Sequence, residues 1–124
     1  YEYAKSSYFK NDTLKFPNKQ MRTVWDIPNN KEPRELQFGK HPTQKPLALL
    51  KRIIRLSSKE DDLCFVPFGG VGSECLAAKE TNRNFIGFEL EKSFCDIAKE
   101  RLEHAIIDNY TLQTILDFSE KNIA

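Results

Sequence analysis

The stretch that most constrains this chain is residues 63–73, Leu-Cys-Phe-Val-Pro-Phe-Gly-Gly-Val-Gly-Ser. Four apolar residues without alternation, closed by a proline, read as a short strand buried on both faces. A glycine cluster follows at once, and after it a helical pattern. This is how a parallel strand of an α/β sheet delivers the chain to a ligand at its carboxyl end. The glycines let the backbone turn sharply and come close to a ligand where a side chain would collide. The first amides of the next helix have no intrahelical partner and are left to point at that ligand.

The rest of the chain can be placed around this turn. A helix is expected over residues 72–81, a turn at Asn82-Arg83, and a second buried strand over 84–89. An amphipathic helix follows over 92–105, with Phe94, Ile97, Ala98, Leu102 and Ala105 on its inner stripe. Upstream, residues 47–56 form a helix with Leu47, Leu50, Ile53, Ile54 and Ser57 on one face and Lys51, Arg52 and Arg55 on the other. Pro46 suits its first turn, and Thr43 is the candidate cap. A last helix is expected over 112–118. The order helix, strand, helix, strand, helix is half of a doubly wound, Rossmann-like α/β fold. Two strands make an incomplete sheet with open edges and two apolar faces. The expectation is that the remainder of the sheet lies outside this sequence, or that the segment before residue 41 covers it.

Residues 1–41 show no sustained period. Tyr1, Tyr3, Tyr8, Phe9 and Phe16 are interspersed with Lys5, Lys10, Lys15, Lys19 and Arg22. A short strand over 22–27 would end at Pro28 and Asn29-Asn30, and 31–40 reads as a long polar loop. The charge is uneven: residues 1–60 carry 13 Lys+Arg against 6 Asp+Glu, and residues 61–124 carry 6 against 12. The basic front is therefore the part suited to a polyanion, beside the plainer reading of a solvated polar face. Cys64, Cys75 and Cys95 sit at no metal-ligand spacing and read as reduced thiols of a cytoplasmic protein. No apolar run approaches a membrane span, so no membrane partner is expected. The start at Tyr1 rather than an initiator Met suggests a fragment, a processed product or a trimmed chain.

Three ligands compete for the glycine turn. A phosphate-binding loop needs Lys-Ser/Thr after its last glycine, and Gly72-Ser73-Glu74 has none. A dinucleotide turn wants Gly-x-Gly-x-x-Gly; Gly70-Val71-Gly72-Ser73-Glu74-Cys75 offers two glycines, with Glu89 ending the second strand where a ribose hydroxyl would be met. Glu74 in the first helical turn is a poor neighbour for a pyrophosphate. S-adenosylmethionine has no phosphate but has a ribose, and Phe68-Gly69-Gly70-Val71-Gly72 matches the Phe-x-Gly-x-Gly turn of methyltransferases that use it. Glu89 alone would be an ordinary solvated acid; its place relative to the turn favours a ribose ligand.

His41-Pro-Thr-Gln-Lys-Pro46, an amphipathic helix, Pro67-Phe-Gly-Gly-Val-Gly-Ser73 and Asn84-Phe-Ile-Gly-Phe-Glu89 together resemble the amino-group DNA methyltransferases of bacteria and phages. The resemblance runs from about residue 22 to 104. The order of the pieces is similar to the beta group, in which the catalytic block and target-recognition region precede the cofactor half. It implies that residues 1–40 are the tail of the target-recognition region and residues 41–124 the S-adenosylmethionine-binding half-domain.

The resemblance also implies roles. Phe68, Gly69, Gly70, Val71, Gly72 and Ser73 would wrap the methionine part of the cofactor. Glu89 would accept from the ribose hydroxyls, Leu90 would lie near the adenine, and Thr43, Gln44 and Lys45 would approach the carboxylate end. His41 is read as a structural hydrogen-bonder with no acid–base role. Two departures stand out. Val66 replaces the family's usual Asp before Pro-Phe, an acid expected to help hold the cofactor's ammonium. The catalytic Asp/Asn/Ser-Pro-Pro-Tyr/Phe motif, which holds the target amine and stacks on the flipped base, is absent, since no two of the six prolines are adjacent.

The expectation is the cofactor-binding part of a site-specific DNA methyltransferase that moves a methyl group from S-adenosylmethionine to the exocyclic amine of adenine or cytosine. It would be inactive alone. Its partners would be double-stranded DNA and a companion polypeptide, or a preceding segment, bearing the catalytic motif, with a homodimer left open. The alternative is a truncated, inactive DNA- or subunit-binding fragment.

Overall fold

The computed structural model describes residues 24–29 and 32–108. Six elements run in order: α1 (Pro33–Leu36), α2 (Leu47–Ser57), β1 (Leu63–Val66), α3 (Ser73–Glu80), β2 (Asn84–Gly87) and α4 (Lys92–Glu103). β1 and β2 pair in parallel, Leu63 opposite Asn84 and Val66 opposite Gly87. Pairing continues past the strand ends, where the Phe88 amide donates to the Val66 carbonyl (2.9 Å) and the Gly69 amide to the Phe88 carbonyl (2.6 Å). The fold is a partial Rossmann-like α/β unit, as its element order implies.

α3 is the centre of the packing. Cys75, Leu76, Ala77 and Ala78 are all buried, the two alanines completely. A helix buried nearly all round must be covered on several sides, and α3 touches α2, α4 and both strands. Its small residues let α2 approach closely: Leu47 and Leu50 pack with Leu76 and Ala77, flanked by Ile54, Leu102 and Ala105. Ile53, expected on the same inner face, is 45% exposed. A helix this short buries a narrow stripe, and residues 47, 50 and 54 already fill it.

The structure corrects several sequence expectations. Within the polar loop over 31–40, Pro33-Arg-Glu-Leu36 forms α1, with proline in the first turn, where its missing amide costs nothing. α1 does structural work: the buried Glu35 accepts from the Leu47 amide (2.7 Å) and so starts α2. Thr43 therefore does not cap that helix, and Pro46 occupies the cap position without a side-chain bond. Residues 24–27 are not in a strand, whereas residues 22–23, 1–21 and the helix expected over 112–118 lie outside the described residues. The second strand ends at Gly87, two residues short of Glu89.

The strands are not buried on both faces. Leu63, Phe65, Ile86 and Phe88 are 62, 68, 47 and 56% exposed, while Val66 on the opposite face is buried. The apolar run satisfies α3 on one side and leaves the other side open among the described residues.

Gly87 marks the tightest contact of sheet and helix. A Cβ there would lie 2.5 Å from the Cys75 Sγ. Gly87→Ala is expected to cost about 1–3 kcal/mol through overpacking. Cys75→Ala in the same chain should recover most of that loss, and urea unfolding of both variants checks it.

Candidate functional site

The glycine turn leaves β1 through Pro67 and Phe68 and enters α3 through Gly72. Gly70 and Gly72 have φ of +55° and +80°, backbone that L side chains rarely adopt. The Gly72 amide donates to the Gly69 carbonyl (2.8 Å), and the Leu76 amide to the Gly72 carbonyl (2.8 Å), so the turn passes directly into α3. Gly72, at the cap position, offers no side-chain bond to that helix. The first amides of α3 have no intrahelical partner.

Glu89 meets the turn from the segment just after β2. One carboxylate oxygen accepts from the Gly70 amide (2.9 Å) and the other from the Glu91 amide (2.9 Å) at the start of α4. These backbone donors, Glu91 first, hold the Glu89 carboxyl below its ordinary value of 4.5. A carboxylate fixed beside a glycine turn at the carboxyl ends of two parallel strands suits a ligand with vicinal hydroxyls. Leu90 beside it and Phe68 across the turn are almost fully exposed. Among the described residues, a Cβ on Gly70 would meet only the His41 ring, at 3.8 Å, so they leave the Gly70 side of the turn open.

The other expected site residues divide in two. Val71 and Ser73 turn inward and are 2 and 4% exposed. Gly69 is buried, its would-be Cβ 3.1 Å from the Phe88 carbonyl. Thr43, Gln44 and Lys45 make local bonds. The Gln44 amide donates to the Glu35 carbonyl (2.8 Å), the Lys45 ammonium to the Thr43 carbonyl (2.7 Å), and the Thr43 amide to His41 Nδ1 (3.1 Å). Of residues 41–46, it is His41 that the structure brings against the turn. Its ring packs at a tilt against Phe94, with centroids 4.5 Å apart.

Sequence reasoning missed Arg101. It is the buried residue of α4, 3% exposed, and one guanidinium nitrogen donates to both the Val71 carbonyl and the Ser73 hydroxyl (each 2.9 Å). Its place at the interval of Ala98 and Ala105 on the inner stripe was the available signal, but a charged residue is ordinarily assigned to the surface.

The arrangement brings open backbone, one carboxylate and one imidazole together at the carboxyl ends of the strands. A family model for N6/N4 DNA methylases, described as DNA methylase, matches residues 1–100. The chain belongs to the DNA methylase family. Among its relatives, type II methyltransferase M2.MboI of Moraxella bovis is 44% identical over 96 residues, covering 76% of this chain and 35% of that protein. Type II methyltransferase M2.DpnII of Streptococcus pneumoniae is 46% identical over 98 residues, covering 77% of this chain and 36% of that protein. The chain thus spans little more than a third of the length of these relatives. Among solved structures, TTHA0409 of Thermus thermophilus, complexed with S-adenosyl-L-methionine, matches with a TM-score of 0.50 at 20% identity, over 83% of this chain and 51% of that one. That likeness establishes the fold.

Proposed function

We propose that this chain is the cofactor-binding part of a site-specific DNA methyltransferase acting on the exocyclic amine of adenine or cytosine. The observation that carries the reading is the Glu89 carboxylate held on the Gly70 amide, beside an open glycine turn. S-adenosylmethionine fits these residues. Glu89 would accept from the ribose hydroxyls, Leu90 would flank the adenine, and Phe68, Gly69, Gly70 and the start of α3 would follow the methionine part. Thr43, Gln44 and Lys45 would reach its carboxylate end, with Lys45 leaving the Thr43 carbonyl to do so. When bound, this cofactor would supply an activated methyl group on a sulfonium sulfur for transfer to the amine nitrogen.

Residues 1–40 belong to the target-recognition region in this reading and residues 41–124 to the cofactor half. Arg34 and Glu35 tie the end of the first segment to α3 and α2. The catalytic Pro-Pro-Tyr/Phe motif comes from a companion polypeptide or a preceding segment, and the exposed apolar sheet face is the surface such a half would cover. The complete enzyme is cytoplasmic and acts on double-stranded DNA. Among the described residues, no helix is long and apolar enough to cross a membrane.

Calorimetric titration with S-adenosylmethionine tests the cofactor site. A saturable signal is expected, lost in Gly70→Asp, because a second carboxylate beside Glu89 fills the open side of the turn at a φ of +55°. Methyl transfer to DNA is expected only after mixing with a polypeptide bearing the catalytic motif; transfer by the chain alone would refute the division of labour. A second reading, a DNA- or subunit-binding fragment without cofactor, draws on Val66, buried where the family has an acid. A silent titration would favour it.

A further inference from the structure

α4 lies directly under the glycine turn. Ala98 and Arg101 are three residues apart and share one helix face. A Cβ on Gly72 would be 2.8 Å from the Ala98 Cβ, so the backbone of the turn rests on α4. Arg101 reaches up beside it, 3% exposed, and holds the Val71 carbonyl and Ser73 hydroxyl. The other end of the Val71–Gly72 peptide is fixed as well, since the Gly72 amide donates to the Gly69 carbonyl (2.8 Å). A planar peptide bonded at both its carbonyl and its amide cannot rotate without losing one of the two.

A guanidinium is an expensive group to bury. Among the described residues neither of the Arg101 bonds goes to a carboxylate, and its Nε and Nη2 are buried without a hydrogen-bond partner. Glu35, Glu80 and Glu74 favour its charge electrostatically and Arg34 opposes it. If packing were the only requirement, an apolar side chain would fill this position without orphaned donors. What the charge adds is a firm hold on the turn.

We propose that Arg101 is a positioning residue for the glycine turn, fixing it through the Val71 carbonyl and the Ser73 hydroxyl in the shape that presents Gly70 and the start of α3 to the cofactor. The cofactor's identity rests on the function proposed above; the hold on the turn does not. Ser73 then acts from beneath the turn, through Arg101, and not by direct contact with the ligand.

The experiment compares Arg101→Met and Arg101→Lys with Leu50→Ala, a core variant in α2 away from the turn. Affinity for S-adenosylmethionine is read by calorimetry, amide hydrogen exchange over residues 69–74 by mass spectrometry or NMR, and stability by melting. Arg101→Met is expected to weaken binding by about tenfold or more and to speed exchange at residues 71–73 selectively, with Arg101→Lys between it and the wild type. Leu50→Ala is expected to lower the melting point and leave the affinity of the folded chain and the exchange of the turn unchanged. Affinity within twofold of wild type and unaltered turn exchange in Arg101→Met would overturn the proposal. Should Arg101→Met fail to fold, Arg101→Lys decides by the same two readings. Should the wild type itself not bind S-adenosylmethionine, the cofactor assignment fails separately, and turn exchange alone decides the role of Arg101.

Discussion

Glu80→Gln is expected to lower the stability of this chain by about 3 kcal/mol, at the lower end of the range for breaking a buried ion pair. Glu80 ends α3 and is fully buried. One carboxylate oxygen accepts from the Arg34 guanidinium and from the Ile106 amide (3.0 Å); the other ion-pairs with Lys51 (2.9 Å). Its carbonyl accepts from the Asp108 amide (2.8 Å), and Asp108 in turn pairs with Lys51 and Arg55. The acid thus joins α1, α2, α3 and the segment after α4. Lys51 keeps Asp108 in the variant, and the Arg34 side chain is 33% exposed, which places the cost low in the range. The melting midpoint should fall by roughly 10–20 °C, given the entropy of unfolding of a domain this size.

The same carboxylate sets an acid limit. Burial alone would raise its pKa, but bonds from Arg34, Lys51 and the Ile106 amide outweigh burial and hold it below the ordinary 4.5. The folded state therefore stays ionised at a pH where the unfolded chain has taken up a proton. Its contribution is complete above about pH 4.5, the unfolded value, and is lost as the pH falls through the folded one. Urea midpoints measured from neutral pH downward should fall steeply in the wild type and less steeply in Glu80→Gln. Equal stability at neutral pH with equal acid slopes would refute this role.

This network also changes the meaning of the charge asymmetry. The basic front half reads as a surface for a polyanion, yet Arg34, Lys51 and Arg55 are committed to Glu80 and Asp108 of the acidic half. Sequence counting records the two halves and cannot see that they neutralise each other inside the fold. Lys45, bonded among the described residues only to the Thr43 carbonyl, is better placed to meet a ligand.

What was legible follows from local rules. β1 lies over Leu63–Val66 because four apolar residues end at a proline, and α3 starts directly after Gly72 because glycine alone takes φ of +80° without strain. The inner stripe of α4 was readable from its period. What was not legible depends on long-range contacts. Glu35 starts a helix twelve residues on, and Arg101 bonds a carbonyl thirty residues back. The His41 ring packs at a tilt against Phe94 across the fold. The exposure of Leu63, Phe65, Ile86 and Phe88 belongs with these: an apolar run shows that two faces want cover, and only the arrangement shows that α3 covers one.

Gly72 carries the second large effect. Gly72→Ala is expected to cost roughly 2–4 kcal/mol, from left-handed backbone strain and from steric overlap together. The strain arises at φ +80°, ψ 22°. The overlap is with Ala98: the new Cβ would stand 2.8 Å from its Cβ and 3.2 Å from its Cα, and the latter is backbone that cannot swing aside. Gly70→Ala is the informative contrast, since its nearest neighbour is the His41 ring at an ordinary 3.8 Å and only the strain at φ +55° remains. Gly70→Ala should therefore lose about 1 kcal/mol, with its main effect on ligand affinity, whereas Gly72→Ala should lose stability first. Adding Ala98→Gly separates the two terms. It removes the side-chain overlap but neither the crowding against the α4 backbone nor the strain, so Gly72→Ala should cost about 1 kcal/mol less in that background than alone. Chemical denaturation of the four chains of this cycle measures the difference. Strict additivity would mean that α4 does not support the turn at Ala98, and that the close fit of helix and turn is not what fixes the site.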